Sequence, residues 1–162
     1  MTAASVYDRL IALLAQHGAT FDVLSHAPVF TSAQAAEVRG TSLASGAKAL
    51  VCKADQASCL FVLPADRKLD SRLVRQQQRL RSLRFASPEE VLQITGLTPG
   101  AIPPFGSLFG LPTFCDVGLT AHATINFNAG DHCRSVCLRT ADYLRIERPV
   151  LGQFAVREPP GS

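Results

Sequence analysis

The chain has 162 residues, 47% hydrophobic and 18% charged, with a formal net charge of +3. A chain of this size folds as one compact domain that buries roughly 68–70% of its unfolded surface, and the composition excludes a disordered, collagen-like or coiled-coil protein. No apolar run approaches the ~20 residues of a membrane span, the first residues lack the pattern of a signal peptide, and five cysteines without tight spacing point to reduced thiols in a cytoplasmic protein.

The charge is local. Residues 66–84 carry Arg67, Lys68, Arg72, Arg75, Arg79, Arg81 and Arg84 against Asp66 and Asp70, a balance of +5 that leaves the rest of the chain at −2. A block of this kind is either the footprint of a polyanion such as RNA or a solvated helix face. Its arginine content suits phosphate forks.

In chain order, Val6, Leu10, Leu13 and Leu14 have helical spacing, and Gly18 is placed to end that helix. Residues 20–25 read as a strand. Thr31 with Gln34 forms a capping-box pattern for a helix over 32–39, closed by Gly40. Two apolar runs, 47–53 and 59–63, joined by residues 54–58, predict a hairpin. Residues 70–80 read as a helix with Leu69, Leu73 and Leu80 inward and the arginines outward. Ser87-Pro88-Glu89-Glu90 is a helix start with cap, proline and acid each in place, and Gly96 is its stop. Strands are expected over 113–117, 124–127 and 135–139, then a helix over 141–146 capped by Thr140. A single domain over 1–150 and a flexible tail over 151–162 complete the expectation. Helices and strands mix without strict alternation, which predicts an α+β fold with a mixed sheet.

Residues 96–112 pack four glycines and four prolines into seventeen positions. Loops longer than about 12–15 residues are uncommon in compact domains. Ile102, Phe105, Leu108, Phe109 and Leu111 would form a large apolar patch if this one were disordered. An ordered loop stiffened by Pro103-Pro104 could present backbone N–H groups to a carbonyl or oxyanion; a purely structural Ω-loop is the other reading. Lys48 opens an apolar strand and shares a face with Leu50 and Cys52. Its ammonium either reaches a cleft, where it needs an anion or carbonyl, or snorkels to water.

Other chemistry has less support. Ser45 to Lys48 matches S-x-x-K, but that acyl-enzyme pattern needs one helical turn, and neither S-D-N nor K-T-G occurs. His122, Asp131, His132, Cys115, Cys133 and Cys137 are ligand types without zinc spacing, so neither metal nor cofactor is expected. Elbow, Walker and dinucleotide motifs are absent.

Several segments together resemble one family. Ser25-His26-Ala27-Pro28, the Gly46-Ala47-Lys48-Ala49-Leu50 strand, Gly100-Ala101-Ile102-Pro103-Pro104, Phe114-Cys115-Asp116 and Phe127-Asn128-Ala129-Gly130 occur in the order seen in the YbaK/ProX-type aminoacyl-tRNA deacylases. These are freestanding relatives of the prolyl-tRNA synthetase editing domain. Residues 47–53 and 139–146 resemble most the branch that clears Ser- or Thr-mischarged tRNA.

The resemblance implies a partly barrel-like mixed sheet with flanking helices, and hydrolysis of the ester joining a small amino acid (Ser, Thr or Ala) to tRNA. Lys48 would be the catalytic residue. His26, Phe30, Leu50, Gly100, Ala101, Ile102, Pro104, Asn128 and Gly130 would bind substrate; the resemblance does not place the arginine block at the site, and from that block Arg75, Arg79 and Arg81 are candidates for tRNA phosphate. The implied partners are mischarged tRNA and a synthetase, without membrane or DNA, for a monomer. Two alternatives stand: a non-catalytic tRNA- or synthetase-binding domain of the same fold, and a small-molecule esterase using Ser45 with Lys48.

Overall fold

The structure, a computed structural model, describes residues 4–158. Local chemistry sets its helices. α1 (Val6–Gln16) starts where the Ser5 hydroxyl accepts the Asp8 N–H, and it buries Leu10 and Leu14. α2 (Ser32–Arg39) starts where Thr31 accepts the Gln34 N–H; the Gln34 side chain reaches one residue further back, to the Phe30 N–H at 3.0 Å, instead of closing the expected box. α3 (Ser71–Gln78) is shorter than the predicted 70–80 helix, because Asp70 is its cap and Arg79 turns left-handed at φ 54°. α4 (Pro88–Thr95) has the full reciprocal capping box of Ser87 and Glu90, with Gly96 ending it at φ 75°. α5 (Thr140–Glu147) corrects the expected cap: Thr140 lies inside the helix and its hydroxyl donates to the His122 carbonyl at 2.6 Å.

Ten strands, β1 (Phe21–Ser25), β2 (Ala47–Ala54), β3 (Ala57–Pro64), β4 (Arg67–Leu69), β5 (Leu83–Phe85), β6 (Thr113–Asp116), β7 (Thr124–Asn128), β8 (Arg134–Arg139), β9 (Val150–Gly152) and β10 (Ala155–Arg157), connect the helices among the described residues. They form an antiparallel sheet in order β1-β8-β7, a mixed sheet in order β5-β2-β3-β6-β9, and a β10-β4 pair. The α+β class with a mixed sheet is therefore as expected. The hairpin is tighter than expected. Asp55 and Gln56, at φ 46° and 75°, make a two-residue turn whose twist matches the flanking strands. The Asp55 carboxylate anchors it by accepting the Arg81 and Ser82 N–H groups, each at 2.9 Å.

Both faces of β2 and β3 are covered, which is why their sequences run apolar without alternation. One face sends Ala47, Ala49, Val51, Leu60 and Val62 into the main core with Phe105, Phe127 and Tyr143. The other sends Cys52, Cys59, Phe61 and Leu63 into a second core with Val74 and Phe154. Phe154 comes from the segment predicted to be a flexible tail. That expectation is corrected for residues up to 158: β9 pairs with β6, β10 pairs with β4, and the buried Asp116 carboxylate accepts the Phe154 and Ala155 N–H groups at 2.8 and 3.0 Å. Residues 159–162 of the expected tail lie outside the described residues.

One gap in the pairing creates the site. β5 covers the outer edge of β2 only at Cys52, Lys53 and Ala54, and β7 touches the chain at Gly46, opposite Asn126. Between these points no strand among the described residues pairs with the edge of β2, and a cleft opens there.

Candidate active site

The cleft has a volume of about 220 Å³. One wall is the start of β2, from Gly46 to Leu50, with Ala65; the other is the 29–32 segment and the inner face of α2; Gly100, Ile102, Asn128 and His132 close the end. Small side chains (Ala35, Ala36, Ala47, Ala49, Ala65) leave the space open.

Lys48 stands at the cleft with its side chain a quarter exposed, and its Nζ lies 3.4 Å from Glu158 Oε1. Half-exposed pairs of this kind stabilise by about 0–1 kcal/mol, so an incoming anion can displace Glu158. Opposite it, the 96–112 loop is ordered. Ile102 and Phe105 are buried, and Gly106 to Phe109 form a short 3₁₀ turn. Gly100 sits at φ 89°, where a Cβ would meet His132 Cε1 at 3.3 Å; only glycine fits both constraints. The Gly100 and Ile102 N–H groups have no acceptor among the described residues, and both residues line the cleft.

A polar chain underpins this turn. Asn128 Nδ2 donates to the Gly100 carbonyl at 2.7 Å, and Asn128 Oδ1 accepts from Arg39 Nη2 at 2.9 Å. Arg39 Nε donates to Ser135 Oγ at 2.8 Å. Ser135 Oγ also lies 2.8 Å from His26 Nε2, while His26 Nδ1 lies 2.8 Å from the Ala27 carbonyl. One tautomer satisfies everything: Nδ1–H donates to Ala27, and Nε2 accepts the Ser135 hydroxyl proton. His132 is fixed likewise, between the Val29 carbonyl at 3.0 Å and the Thr98 hydroxyl at 3.1 Å. Its ring lies 4.9 Å from that of Phe30, which is 73% exposed at the rim. Burial pushes the Arg39 guanidinium down to about 10, still cationic at neutral pH.

A model of the aminoacyl-tRNA editing domain matches residues 26–146, a span that holds the whole cleft apart from Glu158. The chain belongs to the aminoacyl-tRNA editing domain family. It is 45% identical over 154 residues, 91% of this chain and 92% of the relative, to the multifunctional Ser/Thr-tRNA deacylase ProXp-y of Escherichia coli K12. An uncharacterised Bacillus subtilis protein, YwhH, is 34% identical over 59% of this chain and 60% of its own length. In fold, the editing domain superposes with a TM-score of 0.83 and 22% identity on a candidate trans-editing enzyme for prolyl-tRNA synthetase, covering 98% of this chain and all of that one. A second solved structure, of a hypothetical protein, gives 0.84 at 19% identity, covering 91% of this chain and 99% of the other.

Of the residues predicted to bind or react, Lys48, Phe30, Leu50, Gly100, Ile102 and Asn128 line the editing-domain cleft. The other four stand behind it. His26 supports Ser135, Ala101 accepts the Gly130 N–H at 2.9 Å, Gly130 is pressed against the Tyr7 backbone, and Pro104 is buried in the loop. Arg75, Arg79 and Arg81 are exposed near the end of α3, away from the cleft lining. Ser45 does not join Lys48, because its hydroxyl donates to the Ser42 carbonyl at 2.9 Å. No group of three or more ligand-type side chains could hold a metal among the described residues, and no described helix is long and apolar enough to cross a membrane.

Sequence reasoning missed Arg39 and read His132 only as a ligand type. Arg39 precedes the helix-ending Gly40, where a basic residue normally serves the helix dipole. Nothing local announces that it folds under the cleft.

Proposed function

We propose that this chain is a trans-editing deacylase that hydrolyses the ester between a small hydroxylated amino acid, serine or threonine, and the terminal adenosine of tRNA. The observation that carries the reading is the cleft itself: a cation, Lys48, and a glycine turn with two N–H groups that have no acceptor among the described residues line the same cleft, inside a chain 45% identical to a Ser/Thr-tRNA deacylase.

In this reading the Lys48 ammonium holds the terminal phosphodiester at the mouth of the cleft. The Gly100 and Ile102 N–H groups take the ester carbonyl oxygen and stabilise the negative charge that grows there as water adds to the carbonyl carbon. The bond from that carbon to the ribose oxygen then breaks. The proton lost by water passes to the ribose oxygen through the neighbouring ribose hydroxyl, giving free amino acid and tRNA. The small-residue walls act as a second sieve, needed because one methylene separates competing amino acids by only ~1–3 kcal/mol at a synthetase. A synthetase that releases the mischarged tRNA is the partner this scheme requires, and the exposed Arg75, Arg79 and Arg81 would meet the tRNA backbone outside the cleft.

Purified protein incubated with seryl-, threonyl- and alanyl-tRNA tests the scheme. Multiple-turnover release of serine and threonine is expected. Saturable tRNA binding without release of any amino acid would replace the enzyme by the non-catalytic binding domain.

A further inference from the structure

Arg39 is a half-buried cation on the cleft, and it has no carboxylate within ion-pair distance among the described residues. Its hydrogen-bond partners, Ser135 Oγ and Asn128 Oδ1, are both neutral. They occupy Nε and Nη2; Nη1 has no protein acceptor among the described residues and stands beside Gly46, 3.7 Å from where a Cβ on that glycine would lie. Holding a desolvated charge without a counter-ion costs stability, so the arrangement calls for a function in the cleft.

The surroundings say which group Nη1 meets. The small side chains Ala35, Ala36, Ala47 and Ala65 leave room here for an amino-acid side chain, while Lys48 is the cation proposed above for the phosphodiester. Two cations on one cleft also turn away the substrate's α-ammonium, leaving the amino-acid side chain to face Arg39. A side chain with an oxygen lone pair gains there; an apolar one of the same size leaves a guanidinium N–H unpaired. Through Asn128 the same guanidinium is tied to the Gly100 turn, so side-chain recognition and carbonyl placement share one frame.

We infer that Arg39 reads the side-chain hydroxyl of the aminoacyl group and sets the preference for serine and threonine over amino acids that lack it; this deepens the deacylase reading and rests on it. Such a site discriminates more sharply than an apolar pocket, because the unsuited substrate leaves a buried donor unsatisfied.

The test uses stable amide analogues, 3′-seryl-amino- and 3′-alanyl-amino-3′-deoxyadenosine, whose dissociation constants are measured calorimetrically for the wild type and Arg39→Met. The wild type is expected to favour the seryl analogue by about tenfold or more, and Arg39→Met to bring the ratio close to one. If circular dichroism shows that Arg39→Met does not fold, Arg39→Lys gives the same comparison, since a lysine cannot serve Ser135, Asn128 and the ligand together. A wild-type ratio near one overturns the proposal. So does a ratio that survives substitution, which would make Arg39 a support for the Gly100 turn only. Neither analogue carries a phosphate, so phosphate binding by Arg39 would also leave the ratio unchanged. Hydrolysis of seryl-tRNA by the wild type is scored separately, so that failure of the deacylase reading is distinguishable from failure of this one.

Discussion

At the residue scale the proposed site depends on groups left free for a ligand among the described residues: the Lys48 ammonium beside the exposed Glu158, the Gly100 and Ile102 N–H groups, and one arm of Arg39. Gly100 is the strictest of these positions. Alanine there meets left-handed strain of about 1–2 kcal/mol and the His132 ring at 3.3 Å. Gly100→Ala is expected to cut kcat/KM for seryl-tRNA about tenfold or more through displaced N–H groups, with a small loss of Tm. Unchanged kinetics in the folded variant would remove the turn from the mechanism. Of the predicted residues that line the cleft, Lys48, Leu50, Gly100, Ile102 and Asn128 were legible in the sequence because they sit in motif segments, and Phe30 lies two residues past the 25–28 segment. Arg39 was not, since its contacts to Asn128 and Ser135 are 89 and 96 residues away.

At the element scale, two devices hold the site. The 96–112 loop is braced by Glu147 on α5, which accepts from the Ser107 N–H at 3.1 Å, the Ser107 hydroxyl at 2.6 Å and the Thr113 hydroxyl at 2.6 Å. Pro99, Pro103, Pro104 and Pro112 announced an unusual loop; the brace that orders it is a long-range contact that no local pattern encodes. α4 was legible to the residue because its cap is local. There, hydrogen bonds from Arg84 and the Ser87 backbone hold the Glu90 carboxyl down at about 2, from an ordinary value of 4.5. A depressed carboxyl stabilises the fold fully above its unfolded value and loses that contribution as pH falls toward 2. The stability difference between wild type and Glu90→Gln should therefore be present at pH 6 and vanish near pH 2 in urea titrations. A difference that persists at pH 2 would mean the carboxylate charge is not its source.

The basic block splits at the same scale. Arg84 pairs with Glu90 and Arg67 with Asp116, whereas Lys68, Arg72 and the three phosphate candidates Arg75, Arg79 and Arg81 have no acidic partner among the described residues. Replacing these three by alanine should weaken tRNA binding and lower the slope of log K against log salt by roughly 2–3, at about 0.7–0.9 per phosphate contact. An unchanged slope would make them a solvated face. The sequence located the block, but it could not show that β4 and the turn at Arg79 break it into pieces with different partners.

At the scale of the whole molecule, the C-terminal segment closes the architecture. Asp116 gathers the Gly118, Phe154 and Ala155 N–H groups, Phe154 fills the second core, and β10 delivers Glu158 to Lys48. Phe154→Ala should destabilise the protein by about 3–5 kcal/mol, measured by urea unfolding; a loss under 1 kcal/mol would restore the flexible tail expected from sequence. That expectation arose because β9 and β10 are only three residues each, too short for strand periodicity to register, and their partners β6 and β4 are distant. Strands as long as β2 and β3 declared themselves.

The central claim is that this cleft, through Lys48, hydrolyses mischarged aminoacyl-tRNA. It is tested most directly by following seryl-tRNA under single-turnover conditions with the wild type and a folded Lys48→Ala variant in parallel. Rapid loss of the ester with the wild type, slowed about a hundredfold or more by the substitution, is the expected result. A Lys48→Ala protein that releases serine at the wild-type rate would contradict the account.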